Sequence, residues 1–213
     1  MTLYSLDLYN EFVDHRVWDS TTTWLSELFG GDKHGSNEPD PFNVIPIDYE
    51  DVEGNNTVQL RGYLSLPENP IHDGPLPLVV VFPGGSGDTD YEKKRATMLA
   101  DLGYIAFAAD IYGAESQDTP DDSKFELISK FLNNEPLYIQ RMQRAIDVAS
   151  TTGLADVDTE NVGIIGYCFG GSGVVIYARS GSDSAKVAVA FHGTFYDREV
   201  PVLSDTITPY ALM

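Results

Sequence analysis

The chain has 213 residues, enough for one domain with a substantial core, and its 42% hydrophobic content beside 22% charged residues excludes a disordered chain. Thirty-three acidic residues against 13 basic ones give a formal net charge of −20, which opposes binding to nucleic-acid phosphates and to anionic membrane surfaces. A single cysteine excludes an intramolecular disulfide, no window approaches the ~20 apolar residues of a membrane span, and Met1 to Ser20 lacks the basic start and apolar run of a secretory signal, so a cytoplasmic protein is expected.

Residues 1–43 scatter aromatic side chains through polar sequence, end in the turn-rich stretch Gly30 to Pro41, and are expected to form an N-terminal appendage to a domain over 44–213. Within the appendage, Trp24, Leu25, Leu28 and Phe29 share helical spacing, with Ser20 or Thr21 as N-cap, and are expected to pack on their own domain. Alternation predicts strands over Asn43 to Glu50 and Thr57 to Leu66, the latter with Val58, Leu60, Leu64 and Leu66 on one face. Asp51 to Asn56 has turn chemistry, so the two strands are expected as an antiparallel hairpin at a sheet edge, followed by a loop over Pro67 to Pro77.

Four short apolar runs come next: Leu78 to Phe82, Tyr104 to Ala109, Val162 to Ile165 and Val187 to Phe191. Their continuity predicts strands buried on both faces. Between the first two, Thr89 and Glu92 have the spacing of a capping box, Tyr91, Met98, Leu99 and Leu102 fall on one helical stripe, and Gly103 stops the helix. Between the second and third, Pro136 to Ser150 puts Tyr138, Met142, Ala145, Ile146 and Ala149 on one face, with Gly153 shortly beyond. Strands alternating with helices define an α/β class: a mostly parallel sheet with right-handed crossovers and helices on both faces.

The third run leads into Gly166-Tyr167-Cys168-Phe169-Gly170-Gly171. In a Gly-x-nucleophile-x-Gly pattern the glycines remove side chains that would clash at a sharp strand-to-helix turn, which leaves the central residue exposed on its tip. Cys168 is the candidate nucleophile there, and a thiol at a helix N-terminus gives up its proton more easily. The opposing reading of Cys168 is a small buried hydrophobe, the common fate of a lone thiol. A second glycine-rich stretch, Phe82-Pro83-Gly84-Gly85-Ser86-Gly87, follows the first core strand, where an oxyanion-hole N–H would come from Gly84 or Gly85, with Gly85 preferred, partnered by that of Phe169; the competing reading is a plain strand-to-helix turn. Pro83 has no N–H to offer. The stretch lacks the ending of a phosphate-binding loop, and His15, His34, His72 and His192 show no metal-ligand spacing, so neither nucleotide nor metal is expected.

Leu78 to Gly193 resembles the dienelactone hydrolase family of α/β-hydrolases, through Gly166-Tyr167-Cys168-Phe169-Gly170-Gly171, Ala109-Asp110-Ile111-Tyr112-Gly113 and Ala190-Phe191-His192-Gly193. The resemblance implies a cofactor-independent hydrolase of small-molecule esters or lactones, working by thiolate attack and an acyl-enzyme. It also implies a triad in the chain order nucleophile, acid, histidine, whose Asp and His are expected beyond Met213, since Tyr210 to Met213 reads as the start of the next strand. Within the chain, His192 and Asp197 are the possible substitutes. An acidic residue that some members carry in the first strand loop is replaced here by Gly84 and Gly85, and no Arg follows Tyr112-Gly113, which speaks against a dicarboxylate-type substrate. Two other functions compete: a non-catalytic interaction protein on the same fold, and a redox-reactive thiol at Cys168.

Overall fold

Alternating apolar side chains and a tight turn make the hairpin with which the described chain begins. A computed structural model describes residues 42–116, 121–193 and 211–212. The expected Trp24 to Phe29 helix, and all of the expected appendage except Phe42 and Asn43, lie outside them. Strands β1 (Ile45–Glu53) and β2 (Asn56–Ser65) pair antiparallel from Ile45↔Leu64 to Glu53↔Asn56. The expected turn over Asp51 to Asn56 is therefore too long. Gly54, at φ +61°, lets the chain reverse within two residues, so Asp51 to Glu53 extend β1. Asp51 is also tied down by a fully buried arginine: Arg141 Nε donates to its carboxylate at 2.7 Å and Arg141 Nη1 to the Ile111 carbonyl at 2.6 Å.

Five further strands complete the sheet among the described residues: β3 (Leu76–Phe82), β4 (Ile105–Ala108), β5 (Val157–Tyr167), β6 (Val187–Phe191) and β7 (Ala211–Leu212). The order is β1-β2-β4-β3-β5-β6-β7, antiparallel through the edge hairpin and parallel from β4 onward. The four apolar runs thus occupy the interior of a mostly parallel sheet. Their burial is less uniform than continuity predicts: in β6, Ala188 and Ala190 join the core while Val187 is half exposed and Val189 and Phe191 are half-buried. Successive side chains of a strand face opposite ways, and among the described residues only one face of β6 is fully covered.

Four α-helices are described: α1 (Asp90–Asp101), α2 (Asp121–Leu132), α3 (Glu135–Ser150) and α4 (Phe169–Arg179). The capping box of α1 forms as expected, with Thr89 as N-cap and the Glu92 carboxylate accepting from the Thr89 N–H at 2.9 Å. Its buried stripe differs from the predicted one. Glu92, Ala96 and Ala100 face inward, whereas Met98 and Leu102 are exposed. Ala96 packs with Ala106 and Ala108 of β4, and so close a helix-to-sheet approach favours the smallest side chains over the bulkiest. In α3 the predicted face is the buried face, with Tyr138, Met142, Ala145, Ile146 and Ala149 all in the core. Helix α2, which the sequence pattern did not indicate, inserts Phe131 into the same core.

Candidate active site

Strand β5 is hydrogen-bonded on both sides, with Phe82↔Gly166 toward β3 and Tyr167↔Phe191 toward β6, so its C-terminal end opens between those of its neighbours. Ligands of parallel α/β sheets bind beyond such carboxyl ends. The chain leaves β5 at Tyr167, turns at Cys168 with φ 52° and ψ −112°, and enters α4 at Phe169. A side-chain-bearing residue held there costs about 1–3 kcal/mol and persists only when its surroundings over-determine it. They do so here: the Cys168 N–H donates to the Phe191 carbonyl at 2.9 Å, and the Cys168 carbonyl accepts from the Ser172 N–H at 3.0 Å. With both main-chain groups engaged, the thiol is left exposed at the N-cap of α4.

The flanking glycines have specific work. A Cβ on Gly166 would stand 2.2 Å from the Gly170 carbonyl oxygen, and one on Gly170 would stand 2.4 Å from that of Phe82 and 2.6 Å from that of Pro83. Gly166 thus lets the helix start directly above the strand, and Gly170 lets its first turn rest against the end of β3. Gly171 plays the same part toward β6, where a Cβ would meet the Phe191 carbonyl oxygen at 2.8 Å. Behind the turn, the Tyr138 ring stacks on that of Phe169 at 4.8 Å and its hydroxyl donates to the Phe169 carbonyl at 3.0 Å.

The β3–α1 loop stands beside this turn, with a Cβ on Gly84 only 3.8 Å from the Tyr167 carbonyl oxygen. The Gly84 N–H donates to Glu92 Oε1 at 3.2 Å, so that group is committed, while the Gly85 N–H has no acceptor among the described residues. The Gly85 carbonyl accepts from the Tyr112 hydroxyl at 3.0 Å, and the Ser86 carbonyl from Lys124 Nζ at 2.7 Å. Burial, and after it charge at Cys168, push the Tyr112 hydroxyl above its usual range, which keeps it a proton donor. Burial also raises the Glu92 carboxyl, opposed by hydrogen bonds from Thr89 and Gly84. Sequence reasoning missed Glu92, Tyr112 and Lys124 as supports of this loop. Tyr112 lies in a motif already singled out, but its partner is 27 residues away.

His192 follows β6 with φ 40° and an exposed side chain, and among the described residues it makes no hydrogen bond to Cys168. Asp197 lies outside the described residues. No group of three His, Cys, Asp or Glu side chains among the described residues suits a metal ion, and no described helix is long and apolar enough to cross a membrane.

A parallel sheet whose central strand passes through a strained residue into a helix, with a glycine-rich loop after the neighbouring strand, defines the α/β-hydrolase fold. A family model of the dienelactone hydrolase family matches residues 60–210. A Bradyrhizobium protein described as a probable 2-oxo-3-(5-oxofuran-2-ylidene)propanoate lactonase is 32% identical over 152 residues, 70% of this chain and 57% of its own length. Among solved structures, a dienelactone hydrolase-like promiscuous phosphotriesterase from metagenomic libraries superposes with a TM-score of 0.65 at 30% identity, over 79% of this chain and 66% of its own. The solved structure of a protein called m3DLH gives the same TM-score at 27% identity, over 79% of this chain and 67% of its own. The chain belongs to the dienelactone hydrolase family. It spans between 42% and 58% of the lengths of the curated relatives it matches.

Proposed function

We propose that this chain carries the acylation site of a carboxylic ester or lactone hydrolase, with Cys168 as nucleophile and the Phe169 and Gly85 N–H groups as oxyanion hole. The observation that carries the reading is the exposed thiol on a strained strand-to-helix turn, with backbone φ 52°. Strain at one residue is retained where function needs that residue in that place. The Cys168 thiolate attacks the carbonyl carbon and the C–S bond forms as the carbonyl electron pair moves onto oxygen, where two N–H donors stabilise it. Collapse of the intermediate expels the alkoxide or phenolate and leaves a thioester. Water then adds to the thioester carbonyl, the C–S bond breaks, and the acid and thiol are released.

That last step needs a base, and no imidazole hydrogen-bonds to the thiol among the described residues. Acylation by p-nitrophenyl acetate is expected to release a burst of about one equivalent of nitrophenolate per thiol, and the rate that follows the burst reads the deacylation base. Cys168→Ala should abolish that burst. Cys168-dependent multiple turnover would make His192 and Asp197 the partners to test, while a burst that survives Cys168→Ala would remove the thiol from the reaction. Reactivity toward peroxide with none toward esters would favour a redox thiol instead.

A further inference from the structure

Four contacts fix the main chain of the β3–α1 loop. The Gly84 N–H donates to Glu92, the Gly87 N–H donates back to the Gly84 carbonyl at 3.0 Å, Tyr112 holds the Gly85 carbonyl, and Lys124 holds that of Ser86. In a trans peptide the C=O of one residue and the N–H of the next point opposite ways. The Gly84 oxygen, turned inward to Gly87, therefore turns the Gly85 N–H outward. In the same way, Tyr112 on the Gly85 oxygen turns the Ser86 N–H away from itself. Neither N–H has an acceptor among the described residues. The Gly85-Ser86 peptide is the central peptide of a four-residue turn, the unit whose rotation interconverts the two commonest turn types, and a glycine on one side lowers the resistance to that rotation.

Tyr112 touches both residues of the proposed oxyanion hole, though neither N–H directly. Its hydroxyl bonds the Gly85 carbonyl, and its ring lies 5.4 Å from that of Phe169, whose N–H is the other donor. The ring is buried at 7% exposure, and a Cβ on Gly87 would approach it to 3.1 Å, so it has little room to move.

We propose that Tyr112 is a positioning residue: its hydroxyl locks the Gly85-Ser86 peptide, which directly follows the Gly85 N–H, against rotation, and so holds the loop in the turn that keeps the Gly85 N–H aligned with the Phe169 N–H as charge builds on an acyl oxygen. The proposal rests on the acyl-transfer reading above. The lock matters for acyl transfer alone: displacement of iodide from iodoacetamide by the same thiolate transfers charge to the leaving group and needs no oxyanion hole.

Tyr112→Phe keeps the ring and deletes the hydroxyl. Because Cys168 is the single cysteine, its second-order acylation by p-nitrophenyl acetate and its alkylation by iodoacetamide can be measured at one pH without competing thiols. Acylation should fall about tenfold, less than the loss of a whole donor, while alkylation stays within about twofold of the parent. A variant acylated as fast as the parent overturns the lock. So does a parallel fall in both rates, or loss of a cooperative melt, either of which would make the hydroxyl merely structural. A parent that is alkylated but never acylated overturns the acyl-transfer reading itself, and the lock with it.

Discussion

Replacing Gly166 by alanine tests the packing of the turn with a single methyl group. That methyl would lie 2.2 Å from the Gly170 carbonyl oxygen, 2.4 Å from the Gly170 carbonyl carbon and 2.8 Å from the Gly171 nitrogen. All three are main-chain atoms of the first turn of α4, so no side chain can swing aside. Ordinary contact returns only if α4 slides off β5 by more than about 1 Å, which the dense packing of an interior resists. Overpacking typically costs about 1–3 kcal/mol, and a main-chain obstruction places Gly166→Ala at the top of that range. For a chain of this size, about 3 kcal/mol corresponds to a fall in Tm of roughly 6–12 °C. The same slide displaces the Phe169 N–H, so the acylation rate of Cys168 should fall as well. Gly163→Ala, in the same strand, is the control, because the nearest atoms to its added Cβ are 3.9 Å away. Circular-dichroism melts of both variants at one scan rate decide the matter: if Gly166→Ala melts within about 2 °C of Gly163→Ala, the close-packing argument for the turn is wrong.

Two further outcomes follow from groups held at a cost. Cys168→Gly relieves the positive φ and should raise stability by about 1 kcal/mol in denaturant titration while abolishing acylation; a destabilised variant would mean that the thiol makes a favourable contact outweighing the backbone strain. Asp88 has both carboxylate oxygens buried without a hydrogen-bond partner among the described residues, and burial, then the charges of Glu92 and Asp110, hold its carboxyl well above the usual range. The folded state therefore binds a proton that the unfolded state releases near pH ~3.9, so its cost to stability grows as pH rises from there toward the folded value. Asp88→Asn should raise Tm more at pH 8 than at pH 5, and an equal or reversed gain would show that the acid has a partner.

The parts of this fold that the sequence makes legible are those with local causes. Thr89 and Glu92 announce the start of α1 because a capping box closes within four residues, and Gly166 and Gly170 announce the turn because both act on atoms next to them in the chain. Where the cause lies in another element, the pattern misleads. Met98 and Leu102 look like the core face of α1, yet Ala96 and Ala100 take it, since β4 presents alanines there and the spacing between the two layers decides which side chains fit. Helix α2 went unread because Phe125, 70% exposed, blurs the periodicity around the buried Phe131. Of the candidate site, the thiol and the glycines were legible. The supports of the oxyanion loop were not, because Glu92, Tyr112 and Lys124 reach it from three separate helices and loops.

The groups proposed to act on a substrate are, apart from one sulfur atom, peptide N–H groups, which every amino acid except proline supplies. Their directions are set mainly by glycines and by hydrogen bonds to carbonyl oxygens, also common to all residues. Such a site tolerates wide drift in the side chains around it, because a substitution there leaves the donors and their aim intact. Substrate preference and the reacting centre can then evolve on separate residues: the walls that select a molecule are free to vary from lineage to lineage, while the turn that reacts with it is held to a handful of positions where any added carbon would collide.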